Sequence, residues 1–185
     1  MMLVMLKLVN TLDPEKIYVE SDYYIPIKIR FEHWANNDEP RHCWGTVSND
    51  QKSLFEIAIG ENTGKLKYIT LVICSSYRIE ASHQKFASSI PQIQGLPVFE
   101  TQKWKRDDYY TKMVLNFDVY LSKPNISIIL FPHEIEKIIY NDRVFFGFDK
   151  DDVLCSIEIK NLSIEEWKVL EESLGIKAYS EILSK

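Results

Sequence analysis

Apolar and polar side chains alternate along several short stretches of the chain, as in strands with one buried face. Residues 25–31 alternate after Pro26, so we expect a strand at a sheet edge, or one bulged near its start, because proline lacks a ladder donor. Two more alternating runs, 54–59 and 65–73, flank a segment rich in glycine and asparagine. This arrangement predicts a β-hairpin.

Two further hairpins are predicted in the second half of the chain. The first joins residues 113–121 to 126–131, and the second joins 144–148 to 153–159. The segment 132–139 between them is compatible with one or two helical turns. Short alternating strands of this kind predict a predominantly antiparallel sheet, built as hairpins or a meander.

The clearest helix signal lies near the end of the chain. Ser163 and Glu166 have the spacing of a capping box, and Leu162 and Trp167 are placed for a hydrophobic staple. An apolar stripe follows, and Gly175 suits the left-handed conformation that ends many helices. We therefore expect an α+β fold with a C-terminal amphipathic helix packed on the sheet.

Length and an irregular middle segment set the predicted domain organisation. A chain of 185 residues with 45% apolar content can close a full core, which favours one compact domain over 1–185. Prolines and a glycine interrupt any regular element between 75 and 105. Because hairpins on either side have a similar layout, two similar halves, 1–95 and 100–185, are an alternative within that domain.

Cysteine usage and the length of the apolar segments indicate the cellular compartment of the protein. Three cysteines, Cys43, Cys74 and Cys155, are far apart and odd in number, unlike a secreted disulfide framework. The apolar start at residues 1–6 is short and lacks a signal-peptide cleavage site, and no stretch has the length of a membrane helix. We expect a soluble cytoplasmic protein that does not bind a membrane.

Acidic charge is concentrated in the last third of the chain. Residues 1–131 hold 15 acidic and 15 basic side chains, whereas 132–185 hold 12 and 7, which accounts for the net charge of −5. Such a chain is not expected to bind nucleic acid, but a one-sided acidic field can steer a basic protein partner. The alternative is a solvated surface that serves solubility. The predicted partner-binding carboxylates are Asp149, Asp151, Asp152, Glu165 and Glu172.

No motif for cofactor binding or catalysis stands out. The six glycines are isolated, so neither a P-loop nor a dinucleotide fingerprint is present. The acidic run 149–152 lacks the ligand spacing of an EF-hand and is expected to be a polar hairpin turn. We expect no cofactor, no metal and no catalytic residue.

Aromatic and potential metal-binding side chains gather in residues 32–44. Trp34, His42 and Trp44 form a candidate aromatic pocket for a small molecule. The histidines, carboxylate and Cys43 of this segment match no standard zinc spacing, so packing of loop aromatics is expected instead. An enzyme that pairs Cys43 with a histidine is a further alternative, which requires the two side chains to meet within hydrogen-bond reach.

Two segments resemble known proteins. They are SLFEIAIGENTGKLKYITLV at 53–72, and VFFGFD at 144–149 leading to IEIKNL at 157–162. Both are similar to segments in small proteins of low-GC Gram-positive bacteria, some of which look like immunity proteins, the cytoplasmic antidotes encoded beside polymorphic toxins. The resemblance consists of hairpin-forming residues and carries over no catalytic residue. It implies an antidote without active-site chemistry that presents an acidic face to a cationic toxin.

The leading hypothesis is therefore a non-catalytic cytoplasmic binding protein, an immunity-type inhibitor that occludes a cognate basic toxin domain through an acidic face. The alternative is a small-molecule-binding or regulatory domain that uses the aromatic pocket.

Overall fold

A computed structural model describes residues 4–33, 39–80, 89–102 and 109–176. These residues form fourteen β-strands and one α-helix. The elements are β1 (Leu8–Leu12), β2 (Ile17–Glu20), β3 (Ile27–Phe31), β4 (Arg41–Val47), β5 (Leu54–Gly60), β6 (Leu66–Ile73), β7 (Gln92–Gln94), β8 (Leu96–Phe99), β9 (Tyr110–Val114), β10 (Asp118–Ser122), β11 (Asn125–Ile129), β12 (Lys137–Asn141), β13 (Val144–Phe148), β14 (Leu154–Ile159) and α1 (Ile164–Ser173). The predicted class, mostly antiparallel sheet with one C-terminal helix, is confirmed in outline.

Two six-stranded sheets and one two-stranded ribbon organise the strands. Sheet A has the order β2-β3-β6-β5-β4-β9, sheet B has the order β10-β11-β14-β13-β12-β7, and β1 pairs with β8 in the ribbon. Pairing is antiparallel except at one edge of each sheet, where β9 runs parallel to β4 and β7 runs parallel to β12. No helix in these described ranges is long and apolar enough to cross a membrane.

The two sheets share one strand order. In each, five successive strands lie in the order first, second, fifth, fourth, third, and an edge strand runs parallel to the third. An internal duplication would produce this likeness, and the two halves remain a prediction. The edge strands are exchanged across the predicted boundary, because β7 precedes it and completes sheet B, whereas β9 follows it and completes sheet A.

Side chains from both sheets pack into one core. Phe31 of sheet A lies 6.5 Å from Phe146 of sheet B, measured between ring centroids, and Phe99 of β8 lies 6.3 Å from Phe148. All four rings belong to a single cluster of buried apolar residues. The burial of this cluster supplies the main favourable term in folding, so the sheets are expected to stabilise each other.

The β1–β8 ribbon ties a turn of sheet A to a turn of sheet B. The amide of Phe99 donates to the carbonyl of Gly64 in the β5–β6 turn, and the amide of Leu8 donates to the carbonyl of Asp152 in the β13–β14 turn, each at 2.9 Å. Gly64 has a φ of +68°, and a Cβ there would collide with the carbonyl oxygen of Phe99. Only glycine adopts this positive φ and leaves room for the Phe99 carbonyl without strain.

The predicted capping box of α1 is confirmed. The amide of Glu166 donates to Ser163 Oγ at 3.1 Å, and the amide of Ser163 donates to Glu166 Oε2 at 2.7 Å. The helix ends before Gly175, whose φ of +67° is the left-handed conformation that the sequence predicts. Trp167 and Leu170 join the common core, so the helix packs on the sheet as expected.

Two expectations about β3 and the segment after β11 were wrong. β3 is not an edge strand, because it pairs with both β2 and β6, and Pro26 lies just before it. Residues 137–141 form β12 rather than helical turns. Ile135, Ile138 and Ile139 have helical spacing, but pairing with β13 and β7 decides the local structure.

One strand boundary and one whole strand were also missed. The run 113–121 is split into β9 and β10, which belong to different sheets, because residues 115–117 leave the ladder. β4 was not predicted, because an inner strand buried on both faces lacks the alternation that marks other strands. The remaining hairpins, β5–β6, β10–β11 and β13–β14, are confirmed.

We expect Gly64→Ala to lower the free energy of unfolding by roughly 3 kcal/mol, combining left-handed strain with a displaced hydrogen bond to β8. Gly175→Ala is the matched control, because its φ is nearly the same and nothing lies within 4 Å of the added Cβ. That control should lose only about 1–2 kcal/mol. Equal losses in urea denaturation would contradict the proposed contact between turn and ribbon.

Candidate functional site

A cleft of about 410 Å³ lies beside the β13–β14 turn. This volume is within the range of ligand pockets. Four of the six lining residues are acidic. The lining residues are His133, Glu134, Glu136, Asp149, Lys150 and Asp151.

Backbone hydrogen bonds hold the segment that carries His133 over the start of β14. The amides of Leu130 and Phe131 both donate to the carbonyl of Cys155, at 2.8 and 3.1 Å. Ile135 is buried in the core and anchors the segment at its far end. Between these fixed points, residues 132–134 are exposed, and His133 and Glu134 line the cleft.

A β-bulge shapes the floor. In the β13–β14 ladder Gly147 pairs with Ser156, but the next residue, Phe148, pairs with Leu154. Cys155 is therefore an extra residue on β14, which re-aims side chains at this point. Sequence patterns gave no sign of this bulge, because it depends on the register between two strands.

The turn and the bulge bring three different side chains together. Asp149 Oδ2 lies 2.7 Å from His133 Nδ1, and Cys155 Sγ lies 3.8 Å from the same nitrogen. Asp149 Oδ1 accepts from the amides of Asp151 and Val153 at 2.9 and 3.0 Å. The run 149–152 is thus a hydrogen-bonded turn, and its first carboxylate points inward.

The surroundings of this cluster shift the pKa values of Asp149 and Cys155. Burial alone would raise the pKa of Asp149, but the hydrogen bonds from His133 and from two backbone amides outweigh it, so this pKa lies below its ordinary value. Burial, with the nearby Asp149 charge, raises the pKa of the Cys155 thiol to about 12. At neutral pH the site therefore holds a carboxylate and a protonated thiol.

This geometry is not that of a nucleophile–base relay. In such a relay one imidazole nitrogen faces the nucleophile and the other faces the orienting carboxylate. Here His133 Nδ1 faces both Asp149 and Cys155. The Cys155 side chain is also fully buried, so the cluster is better suited to binding than to attack on a substrate.

Three of the predicted partner-binding carboxylates lie at the turn. Asp149 is buried, Asp151 is exposed, and Asp152 forms an ion pair of 2.6 Å with Lys137. Glu134 and Glu136, which sequence analysis did not select, are exposed on the same cleft. Their segment had been expected to be helical, so nothing in the sequence placed them beside the turn.

The other two predicted carboxylates lie far away. Glu165 is exposed on α1, and Glu172 lies 3.9 Å from Lys168 on the same helix. The helix follows the opposite end of β14, and six strand residues span about 20 Å. Charges in physiological salt are screened over about 8 Å. The five carboxylates therefore do not act as one face.

The candidate aromatic pocket is not an open site at the residues that the structure describes. Trp44 is fully buried in the core, and its Nε1 donates to the carbonyl of Val4 at 2.8 Å. His42 is 3% exposed, with Nε2 2.7 Å from Thr111 Oγ1. Trp34 lies outside the described residues. Trp44 and His42 are thus interior packing residues.

The alternative enzyme site also lacks its geometry. Cys43 packs with Ala58 and Tyr68 in a separate cluster, and its sulfur lies 3.4 Å from the Tyr68 hydroxyl. The His42 ring lies on the other face of β4, because adjacent strand residues point in opposite directions. His33 Nδ1 lies 2.6 Å from a carboxylate oxygen of Glu15. The described contacts thus do not pair Cys43 with either histidine.

Neither protein-family models nor curated proteins yield a match to this chain. The resemblance to immunity proteins accordingly stays a prediction.

Asp149→Asn should lower the free energy of unfolding by about 1–3 kcal/mol at neutral pH, because a buried carboxylate loses its charge-assisted hydrogen bonds. The native pKa of Asp149 is depressed, so its stabilisation is present above the ordinary aspartate pKa and disappears as pH falls through the native value. The gap between variant and parent should therefore close in acid. Chemical denaturation across this pH range checks it, with exposed Asp151→Asn as control. A difference in the free energy of unfolding that persists in acid would contradict the view that the ionised Asp149 carboxylate stabilises the fold.

Proposed function

We propose that this chain is a non-catalytic binding protein, an immunity-type inhibitor that receives a cationic segment of a protein partner in the acidic cleft. The observation that carries this proposal is the convergence of four carboxylates and one lysine on a single concave surface. With His133 neutral, the lining has a net charge of −3. A concave wall with an excess of one charge sign concentrates the field and attracts ions of the opposite sign.

The rim carboxylates are available to a partner. Glu134, Glu136 and Asp151 are exposed and take no part in the ion pairs of the described ranges. Asp149 adds a charge at the floor that its hydrogen bonds keep ionised. A lysine or arginine entering the cleft would meet carboxylates without first breaking native ion pairs at the rim.

The negative charge of the cleft also indicates which kind of partner it would bind. A cleft of −3 repels phosphate, which disfavours nucleic acid as the ligand. It favours a protein whose own basic residues serve its function, such as the cationic toxin nuclease that the resemblance implies. Covering those residues would block the toxin sterically and electrostatically, without any chemistry by the inhibitor.

Glu134→Lys combined with Glu136→Lys should slow association with the protein encoded by the neighbouring gene by roughly tenfold or more, and should flatten its salt dependence. The matched control is Glu165→Lys with Glu172→Lys, which reverses two exposed carboxylates at the far end of β14. Association rates by surface plasmon resonance at low and high salt make the comparison.

The control should retain the parent rate to within a small factor. If the control slows association while the cleft variant does not, the helix face is the binding surface and the cleft assignment is wrong. If neither variant changes the rate, electrostatic recognition through acidic surfaces is wrong.

A further inference from the structure

We infer that His133, Asp149 and Cys155 form a binding site for a divalent transition-metal ion, best suited to zinc, at the floor of the acidic cleft. Their potential ligand atoms all lie within 4.8 Å of one another. An imidazole nitrogen, a carboxylate oxygen and a thiol sulfur are the three donor types that zinc uses in proteins. Among the described residues, this is the one group of three or more such side chains so close together.

The observed spacing is close to that of a bound ion. Zinc bonds of about 2.0–2.3 Å in tetrahedral geometry place ligand atoms roughly 3.3–3.7 Å apart. The present separations are 2.7 Å between Asp149 Oδ2 and His133 Nδ1, and 3.8 Å between that nitrogen and Cys155 Sγ. A metal would replace the proton that His133 Nδ1 donates to Asp149, and exchange with solvent would place a proton on Nε2 so that the imidazole stays neutral. Side-chain rotations would supply the small opening required.

The surroundings already orient the donors. Asp149 Oδ1 accepts from the amides of Asp151 and Val153, which directs Oδ2 towards His133. Hydrogen bonds of this kind to ligating carboxylates stiffen metal sites. The β-bulge places Cys155 in the same small volume, and the half-exposed His133 ring provides an entry path from the cleft.

Charge balance favours a doubly charged ion. The metal ion sheds bound water, Cys155 loses its thiol proton to solvent, and a metal–sulfur bond forms. The carboxylate and thiolate then neutralise an ion of charge +2, which suits a nearly buried site. Sulfur and imidazole donors favour zinc, cobalt or copper over magnesium or calcium. Glu134 and Glu136 are exposed on the cleft that His133 and Asp149 also line.

Cobalt(II) titration of the chelator-treated full-length protein tests the site. We expect one equivalent to bind and to produce a thiolate-to-cobalt charge-transfer band, which zinc then removes by competition. Cys155→Ser should abolish the band, whereas His133→Asn and Asp149→Asn should each weaken cobalt affinity by about tenfold or more. Cys43→Ser and Cys74→Ser are matched controls, because both are buried cysteines outside the cluster and should keep the band.

His133→Asn guards against a folding artefact, because its side chain is 47% exposed and its loss should leave the circular dichroism spectrum unchanged. Absence of the band in the parent protein, or its persistence in Cys155→Ser, would overturn the metal site. Unchanged affinity in a folded His133→Asn variant would do the same. The titration uses the chain without a partner, so it can fail while the proposed inhibitor function stands, and the reverse also holds.

Discussion

The buried carboxylate of Asp149 is the point on which the cleft depends. One of its oxygens accepts two backbone amides of its own turn, and the other lies 2.7 Å from His133 on a separate segment. A charge that is largely shielded from water is unfavourable unless hydrogen-bond donors surround it. These hydrogen bonds therefore couple the shape of the turn to the position of the opposite wall.

Backbone hydrogen bonds tie the turn beside the cleft to the rest of the fold. β13 and β14 are inner strands of sheet B. The amide of Leu8 in β1 donates to the carbonyl of Asp152 in the turn, and the amide of Leu154 donates to the carbonyl of Leu6 just before β1, each at 2.9 Å. The side chains of the two sheets meet in one core, and each sheet is completed by an edge strand from the other part of the chain. A preformed acidic surface loses little freedom when a partner binds, which favours specific recognition.

Local patterns predicted the hairpins and the helix because their signals lie within a few residues. Ser163 and Glu166, for example, satisfy each other three positions apart. The cluster of His133, Asp149 and Cys155 depends instead on His133 meeting Cys155, 22 residues away, through a bulge that only the pairing register creates. The total charge was readable from the sequence, but the distribution of the acidic side chains over the folded surface was not. Glu134 and Glu136 lie beside the turn, whereas Glu165 and Glu172 do not.

The most direct test of the account is hydrogen–deuterium exchange of the chain with and without its basic partner. The account predicts slower exchange on binding in residues 130–136 and 147–155, which form the cleft, and unchanged exchange in α1. Protection confined to α1 or to sheet A, with the cleft amides unaffected, would contradict it.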